Sequence, residues 1–261
     1  MAAYSAFAQY YDLLTENVEY PKRADYLLEH WKRLGYDPGL TLDLACGTGS
    51  LTLELYRRGV DVYGVDASVE MLSEARIKCA DAGADLLFLR QKMQDLDLYG
   101  TVKTAVCTLD SLNHLEGEEE LGKAFEKVSF FMDPGGRFFF DVNTPYKHRE
   151  VLGNHTFVYD LEQVYCVWQN RFHPASCRVD LDLDFFEREG KLYRRSREHF
   201  SEWAYPQGTL VSLLERAGFG EIQFFGELSF APPEPDCQRW MVSAKKKQVK
   251  ERAQGGPRGY G

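Results

Sequence analysis

The feature of this sequence that most constrains its fold is a regular alternation of short apolar runs with helical stretches. An apolar run at 40–45 ends in glycines, and further strand-like runs follow at 60–65, 86–89, 105–109 and 137–142. Helical spacing at 50–58, 69–80 and 121–131 separates most of these runs, and Ser68 is suited to cap the second helix. Because strand–helix–strand units form right-handed crossovers, this order predicts a parallel sheet covered by helices.

The alternation is interrupted after Pro145 and returns after Pro206. Between these prolines, segments 157–168, 177–187 and 192–203 lack helical spacing and are rich in Val, Tyr, Phe and Trp, which favours strands. The second segment alternates apolar residues with Asp180, Asp182 and Asp184. This region is therefore predicted to be an antiparallel β insertion, which is larger than an ordinary loop.

A tight turn at Glu189 and Gly190 would set the register of the last two strands of the insertion. The predicted cross-strand pairs are Asp184 with Arg195, Asp182 with Arg197, and Asp180 with His199. Such charge pairs would help to fix the register. The row of carboxylates has the composition of a cation-binding site, but alternate carboxylates on a strand are more typical of a solvated face. His199 likewise has two interpretations, either a paired strand residue or a residue over a bound acceptor.

The flanking segments complete the predicted domain organisation. Residues 1–36 have helical spacing, and a helix at 210–217 precedes strands at 222–225 and 240–244. We predict an N-terminal helical cap (1–36), an α/β domain (37–145 and 206–246), an antiparallel insertion (146–205) and a disordered tail (247–261). Because the tail is basic and Gly-rich without apolar periodicity, no packing face is expected for it.

Composition narrows the classes of protein to which this chain can belong. A formal net charge of -9 argues against a phosphate backbone as the main partner, so nucleic acid is not expected. No apolar run reaches the ~18 residues of a transmembrane helix, and the N-terminal residues do not form a secretory signal. The six cysteines are widely spread without a Cys-x-x-Cys pair, which favours reduced thiols in a cytoplasmic protein and no metal site.

The turn after the first strand, Leu42-Asp-Leu-Ala-Cys-Gly-Thr-Gly49, is the first place where a ligand is expected. Open parallel sheets bind ligands beyond the carboxyl ends of their strands, and glycines let the backbone approach a ligand closely. The dinucleotide fingerprint requires a third glycine at the position that Thr52 occupies. The turn alone is thus also compatible with a tight bend that binds nothing.

Two carboxylates at later strand ends favour a nucleoside. Asp66 closes the second predicted strand, where a carboxylate can accept both hydroxyls of a ribose. Asp95 follows the third strand, where it could accept the exocyclic amine of adenine. An isolated Asp after a strand is often only a cap or a turn residue. Both carboxylates behind one glycine turn are better explained by a binding site.

Several segments together carry a family resemblance: Tyr10-Tyr-Asp12, Leu42-Asp-Leu-Ala-Cys-Gly-Thr-Gly49, Gly64-Val-Asp-Ala-Ser68, Gln94-Asp95, Leu109-Asp-Ser-Leu-Asn-His-Leu115 and Asp133-Pro-Gly-Gly136. With them the chain resembles class I S-adenosylmethionine-dependent methyltransferases, in particular small-molecule enzymes with an N-terminal aromatic helix. The resemblance implies a Rossmann-like seven-stranded, mostly parallel sheet whose last strand is antiparallel. The implied cofactor is S-adenosylmethionine.

The resemblance also implies a set of cofactor contacts. Gly47 and Gly49 would face the methionine part, with Asp43 near its ammonium group and Tyr11 reaching its carboxylate. Asp66 would bind the ribose, while Asp95 and Leu96 would meet the adenine edge. Further implied contacts are Ala45, Ala67, Gln94 and Leu109.

The loop after the fourth strand supplies the candidates for catalysis. It holds Asp110, Asn113 and His114, and the resemblance places this loop beside the methyl group. His114 is the candidate general base because imidazole titrates near neutrality, and Asp110 is the second candidate. His114 could instead only line the pocket, and Asp110 could only cap or orient the loop. The expected reaction is methyl transfer to a small amine or hydroxyl compound, with the insertion covering the acceptor. An RNA-modifying methyltransferase and a non-catalytic cofactor-binding module remain alternatives, and an NAD-linked oxidoreductase is disfavoured by Thr52.

Overall fold

A computed structural model describes residues 5–248 of the chain. Its central sheet has seven strands, whose order across the sheet is β10-β11-β5-β4-β1-β2-β3. These strands are β1 (Thr41–Leu44), β2 (Val62–Asp66), β3 (Phe88–Arg90), β4 (Val102–Cys107), β5 (Met132–Asn143), β10 (Phe219–Phe225) and β11 (Arg239–Lys246). Strands β5, β4, β1, β2 and β3 are parallel, whereas β11 runs antiparallel to both β5 and β10. The predicted sheet with an antiparallel last strand is confirmed.

Two helices precede the sheet in the chain, and four more alternate with its strands. They are α1 (Ser5–Leu14), α2 (Tyr20–Arg33), α3 (Ser50–Arg57), α4 (Val69–Asp81), α5 (Gly117–Phe130) and α6 (Gln207–Arg216). The Ser68 hydroxyl accepts a hydrogen bond from the Met71 amide at 3.1 Å, so the predicted cap of α4 is confirmed. The helix predicted at 1–36 is two helices over the described residues, separated by a short 3₁₀ turn at Glu16–Val18.

The main core lies between the sheet and the pair α5 and α6. Phe138 and Phe140 of β5 are fully buried and pack with Phe125 of α5. Because β5 is buried on both faces, its apolar side chains form a continuous run rather than an alternating one, as expected for a central parallel strand. This packing fixes the carboxyl ends of β1, β4 and β5 at one edge of the sheet.

The insertion forms a separate four-stranded antiparallel sheet. Its strands are β6 (Thr156–Asp160), β7 (Val164–His173), β8 (Arg178–Glu189) and β9 (Leu192–Trp203). Four alternate apolar residues of β8 are fully buried in a cluster that also contains Tyr10 of α1 and Leu152; they are Val179, Leu181, Leu183 and Phe185. One face of the insertion therefore packs on the N-terminal helix, which places this sheet beside the carboxyl edge of the main sheet.

The predicted register of β8 and β9 is wrong by two residues. Asp184 lies opposite Arg197, Asp182 opposite His199, and Asp180 opposite Ser201. The two-residue loop consists of Gly190 and Lys191, not Glu189 and Gly190, because the left-handed φ of +64° at Gly190 suits the first central position.

The correct register still pairs every carboxylate of the row. Arg195 and Arg197 both donate to Asp184, and His199 Nδ1 lies 2.9 Å from Asp182 Oδ1. Asp180 accepts from Ser201 and Arg178. The row is thus neutralised by side chains of the insertion itself, and His199 is a strand residue paired with Asp182.

Three further sequence predictions can be compared with the structure. All six cysteines are free thiols. Among the described residues, no helix is both long enough and apolar enough to cross a membrane. Strand β11 extends to Lys246, and the predicted tail from residue 249 onwards lies outside the described residues.

Candidate active site

A cavity of about 290 Å³ lies at the carboxyl ends of β1, β2 and β4. It is lined by Phe7, Tyr11, Ala45, Gly47, Asp66, Ala67, Ser68, Met71, Gln91, Lys92, Met93, Gln94, Ser111, His114 and Leu115. A larger and more open depression of about 650 Å³ lies at the opposite edge of the sheet, around Trp31 and Val60. Because parallel sheets bind ligands at their carboxyl edge, the smaller cavity is the candidate site.

The two glycines of the first turn serve different purposes. Both have a left-handed φ, +55° at Gly47 and +69° at Gly49. A Cβ on Gly49 would lie 2.9 Å from the Ala75 Cβ, so this glycine is required for packing of the turn on α4. A Cβ on Gly47 would meet no protein atom within 4 Å, and Gly47 lines the cavity. The open side of Gly47 is therefore space that a ligand can occupy.

Thr52 binds Asp43 beneath the turn. Its hydroxyl donates to Asp43 Oδ2 at 2.6 Å, and both side chains are buried. Burial raises the pKa of Asp43 to about 7, with a further increase from the charge of Asp66 and a decrease from the Thr52 hydrogen bond. Threonine at the position of the third dinucleotide glycine thus holds the carboxylate that was predicted to meet an ammonium group. Asp43 lies behind the lining residues, and its ligand role remains a prediction.

The raised pKa of Asp43 leads to a pH prediction. The folded protein keeps this proton up to about pH 7, whereas the unfolded chain releases it near the ordinary value of 3.8. Stability from this group is therefore present below pH 4 and is lost as pH rises to 7, at up to about 1.4 kcal/mol per pH unit. In urea titrations without ligand, we expect the free energy of unfolding of the wild type to fall relative to that of Asp43→Asn as pH rises from 5 to 8. A constant difference across this range would contradict the assignment.

Asp66 lines the cavity at the carboxyl end of β2. Its Oδ2 accepts from the Gly47 amide and its Oδ1 from the Ser68 amide, both at 2.8 Å. Burial raises its pKa, while these backbone hydrogen bonds lower it. A carboxylate oxygen has further acceptor capacity after one hydrogen bond, so two vicinal hydroxyls can still bind here. The position and chemistry fit the predicted ribose contact.

The segment after β3 lines the cavity, but not through Asp95 and Leu96, for which contacts with the adenine edge were predicted. Gln91, Lys92, Met93 and Gln94 are lining residues, together with Ala67 from the β2 turn. Asp95 is exposed at the end of a short 3₁₀ helix, and Leu96 is fully buried. Gln94 and Ala67, both predicted cofactor contacts, are thus at the cavity. The adenine contacts of Asp95 and Leu96 remain predictions, because neither residue is among the lining residues.

Helix α1 covers the cavity and is bound to the glycine turn. Phe7 and Tyr11 are lining residues, and burial raises the pKa of Tyr11, as do the neighbouring Tyr20 and Asp110. Asp12 accepts from the Thr48 hydroxyl at 2.7 Å and lies 2.5 Å from Lys78 Nζ. Because Asp12 holds α1 against the turn and α4, the adjacent Tyr11 is fixed at the cavity.

The loop after β4 has a strained backbone that a buried carboxylate stabilises. Leu109 and Asp110 have left-handed φ values of +58° and +54°, which non-glycine residues rarely adopt. Their amides donate to the two oxygens of Asp141, each at 2.9 Å. Asp141 is fully buried on β5. This interaction fixes the start of the loop that carries His114.

Arg239 of β11 joins the same network. Its guanidinium donates to Asp141 and, at 2.6 Å, to Asp110 Oδ1. Burial would lower the pKa of Arg239, but the charges of Asp141, Asp110 and Glu227 raise it further than burial lowers it. The Asp110 carboxylate is therefore already paired with a cation. This pairing indicates that Asp110 orients the loop after β4.

His114 lies at the cavity beside a second buried carboxylate. Its Nε2 is 3.8 Å from Glu202 Oε1 on β9, and its ring contacts that of Phe200 at a centroid distance of 5.8 Å. Asp110, His114 and Glu202 each place one ligand-type atom within 4.8 Å of the others. Since Arg239 already binds Asp110, this group is a charged cluster beside the cavity rather than a free set of metal ligands.

Sequence reasoning did not identify several of these residues. Asp141 lies inside the apolar run Phe138-Phe-Phe-Asp-Val142, and Arg239 directly precedes the apolar run Trp240-Met-Val242. A charge in or beside a predicted core strand was a usable signal. Glu202 gave no such signal, because charged residues are frequent throughout β9. Its proximity to His114 depends on how the insertion packs.

Comparisons with known proteins identify the family of the chain. A methyltransferase domain family matches residues 41–136. The putative methyltransferase YqeM of Bacillus subtilis (strain 168) is 29% identical over 94% of this chain and 98% of its own length. A crystal structure of a S-adenosylmethionine-dependent methyltransferase from Clostridium acetobutylicum ATCC 824 is 32% identical, with a TM-score of 0.84 over 94% of this chain and 99% of that chain.

A third relative matches only in part. The dTDP-3-amino-3,6-dideoxy-alpha-D-glucopyranose N,N-dimethyltransferase of Streptomyces fradiae is 30% identical over 131 residues, which is 49% of this chain and 50% of that protein.

The glycine turn, the Asp66 carboxylate and the cavity between them fit S-adenosylmethionine as the cofactor. The chain belongs to the S-adenosylmethionine-dependent methyltransferases of class I.

Proposed function

We propose that this enzyme methylates an amine or hydroxyl group of a small-molecule acceptor, with His114 as the general base. The observation that carries this proposal is the position of His114, at the wall of the cavity and next to a buried carboxylate. The cavity of about 290 Å³ is also covered by α1, which packs on the insertion. A site of this size suits a small acceptor better than a folded macromolecule.

Residues of this chain would hold the cofactor in a defined order. Gly47 and the turn around it would face the methionine part, Asp66 the ribose, and Ala67 and Gln94 the adenine, with Tyr11 above the methionine carboxylate. When bound, S-adenosylmethionine supplies a methyl group that the acceptor lone pair takes as the carbon–sulfur bond breaks and its electron pair goes to sulfur. The protein aligns the acceptor and excludes water.

His114 provides the step that the cofactor does not supply. An amine or hydroxyl acceptor must lose a proton as its bond to the methyl carbon forms, and an imidazole nitrogen can take that proton. The ring is held against Phe200, and the loop start is fixed by Asp141, so His114 is positioned before the acceptor arrives. The partial relative from Streptomyces fradiae, an N,N-dimethyltransferase by name, supports amines as the first acceptors to test.

The acceptor is tested with a panel of amine, hydroxyl and carboxylate metabolites, with release of S-adenosylhomocysteine as the measurement. A turnover on amines or hydroxyl compounds alone supports the proposal. Turnover on structured RNA with none on the metabolites would contradict it, and so would cofactor binding without turnover on any acceptor.

His114→Ala is expected to lower kcat by about 10²- to 10⁴-fold, because general base catalysis contributes to this extent. Affinity for S-adenosylhomocysteine should remain within about threefold, since His114 lies on the acceptor side. The matched control is His199→Ala, which removes an exposed histidine paired with Asp182. Steady-state kinetics and calorimetry measure the two effects. If kcat survives in His114→Ala, proximity alone drives the reaction and the assigned role is wrong.

A further inference from the structure

We propose that Glu202 is the charge partner of His114, and that it fixes the tautomer of this histidine and stabilises the proton it receives. This inference rests on the proposed function of His114. It gives the insertion a direct role in the reaction, because β9 then supplies a positioning residue. Glu202 does not line the cavity and acts only through His114.

The geometry of Glu202 is that of a carboxylate held between two histidines. Its side chain is 5% exposed, and Oε1 lies 3.8 Å from His114 Nε2. Its other oxygen, Oε2, accepts from Asn143 Nδ2 at 3.0 Å and lies 3.5 Å from His148 Nε2. Burial alone would raise the pKa of Glu202, but the hydrogen bond and charge of His148, the charge of His114 and the Asn143 hydrogen bond lower it well below its ordinary value. Glu202 is therefore a carboxylate despite its burial.

His148 lies on the other side of Glu202 from His114. The side chain is fully buried, and Nδ1 lies 2.9 Å from the Cys177 carbonyl oxygen, which can only accept. Nδ1 therefore carries a proton and fixes the orientation of the ring. Nε2 lies 3.5 Å from Glu202 Oε2, so His148 and Asn143 surround this oxygen and leave Oε1 for His114.

The position of Glu202 also bears on which ring nitrogen of His114 carries the proton. A carboxylate at Nε2 favours the tautomer with its proton on Nε2, which leaves Nδ1 as the basic nitrogen. When Nδ1 receives the acceptor proton, the ring becomes a cation 3.8 Å from a fixed anion. The negative charge of Glu202 thus stabilises the product of proton transfer.

Other charged groups surround this pair and must be included. Asp66 of β2 and Asp110 of the β4 loop contribute negative charge near His114. Lys147, from the π-helical turn Lys147–Leu152, contributes positive charge near Asp110 and Glu202. Arg239 is bound to Asp110 and Asp141. Glu202 differs from the other carboxylates because its free oxygen points at the His114 ring nitrogen.

Glu202→Gln removes this charge at nearly constant shape. We expect kcat to fall by about 10- to 100-fold, with KM and S-adenosylhomocysteine affinity within about threefold. The acidic limb of the kcat–pH profile should move to lower pH, because the protonated base loses its stabilising anion. The matched control is Asp182→Asn, which changes the carboxylate of another carboxylate–histidine pair of the insertion. An unshifted profile would overturn the proposal.

A measurement without an acceptor separates this inference from the proposed function. The ring Cε1–H signal of His114, identified by its absence in His114→Ala, is followed against pH by NMR in the wild type and in Glu202→Gln. The midpoint should be lower in the variant, because the protonated ring then lacks the negative charge of Glu202. Identical midpoints would overturn the inference even if the enzyme methylates a small acceptor. A lower midpoint would support the pairing even if no acceptor in the panel is methylated.

Two further variants address loss of folding. If Glu202→Gln does not give a cooperative melting transition, Glu202→Asp replaces it, because the shorter side chain keeps the charge but withdraws it from His114. Its kcat should fall and its midpoint should decrease. In addition, His114→Ala combined with the Glu202 variant should be no slower than His114→Ala alone, since the two residues act as one unit. Losses that multiply would show that Glu202 is only structural.

Discussion

Arg239→Met is expected to destabilise the protein by about 3–5 kcal/mol, because it removes the closest cation of Asp110 and Asp141 and leaves the fully buried Asp141 with only a 3.5 Å contact to Arg23. Arg239 is 6% exposed and binds Asp141, which is fully buried, together with Asp110. The methionine retains much of the apolar volume, so the loss reports on charge rather than on a cavity. Urea denaturation followed by fluorescence measures the free energy of unfolding.

The control for this prediction is an exposed ion pair of the same chemistry. Arg57 is half exposed and pairs with Glu54 on α3 at 2.7 Å. Arg57→Met should cost less than about 1 kcal/mol. Adding Asp141→Asn to Arg239→Met should recover part of the loss, since the orphaned charge is then removed. A cost below about 1 kcal/mol for Arg239→Met alone would show that the network does not hold the β4 loop.

The sequence predicts the fold well where a signal is local. The alternation of strands and helices depends on residues that are neighbours in the chain, and so does the cap at Ser68. The two-residue error in the register of the insertion has a different origin. Both registers pair the β8 carboxylates with basic or polar residues of β9, so charge could not distinguish them. The backbone geometry of Gly190 and Lys191 decided the register.

The site can be predicted from the sequence where its residues follow the carboxyl ends of neighbouring parallel strands. Gly47 and Asp66 meet because parallel β1 and β2 end at the same edge, and their hydrogen bond follows from that arrangement. The network of Asp110, Asp141 and Arg239 joins residues more than a hundred positions apart. No periodicity within one segment encodes such a contact. The same holds for Glu202, whose approach to His114 depends on the packing of one sheet beside another.

Asp66→Ala is expected to lower the affinity for S-adenosylhomocysteine by at least about 100-fold. Each hydrogen bond to a charged group contributes about 1.5–3 kcal/mol, and the carboxylate is the proposed acceptor of two ribose hydroxyls. The variant also frees the Gly47 and Ser68 amides that Asp66 binds, so the glycine turn loses a support. Asp61→Ala is the matched control, because Asp61 is exposed at the other end of the same strand region.

Isothermal titration of wild type, Asp66→Ala and Asp61→Ala with S-adenosylhomocysteine tests the central assignment, that this cavity binds the methyl donor through its nucleoside. Thermal melting of each variant without ligand shows whether it is folded. We predict tight binding by the wild type and Asp61→Ala, and loss of measurable binding by a folded Asp66→Ala. Equal affinities in all three proteins would place the methyl donor elsewhere and contradict the account.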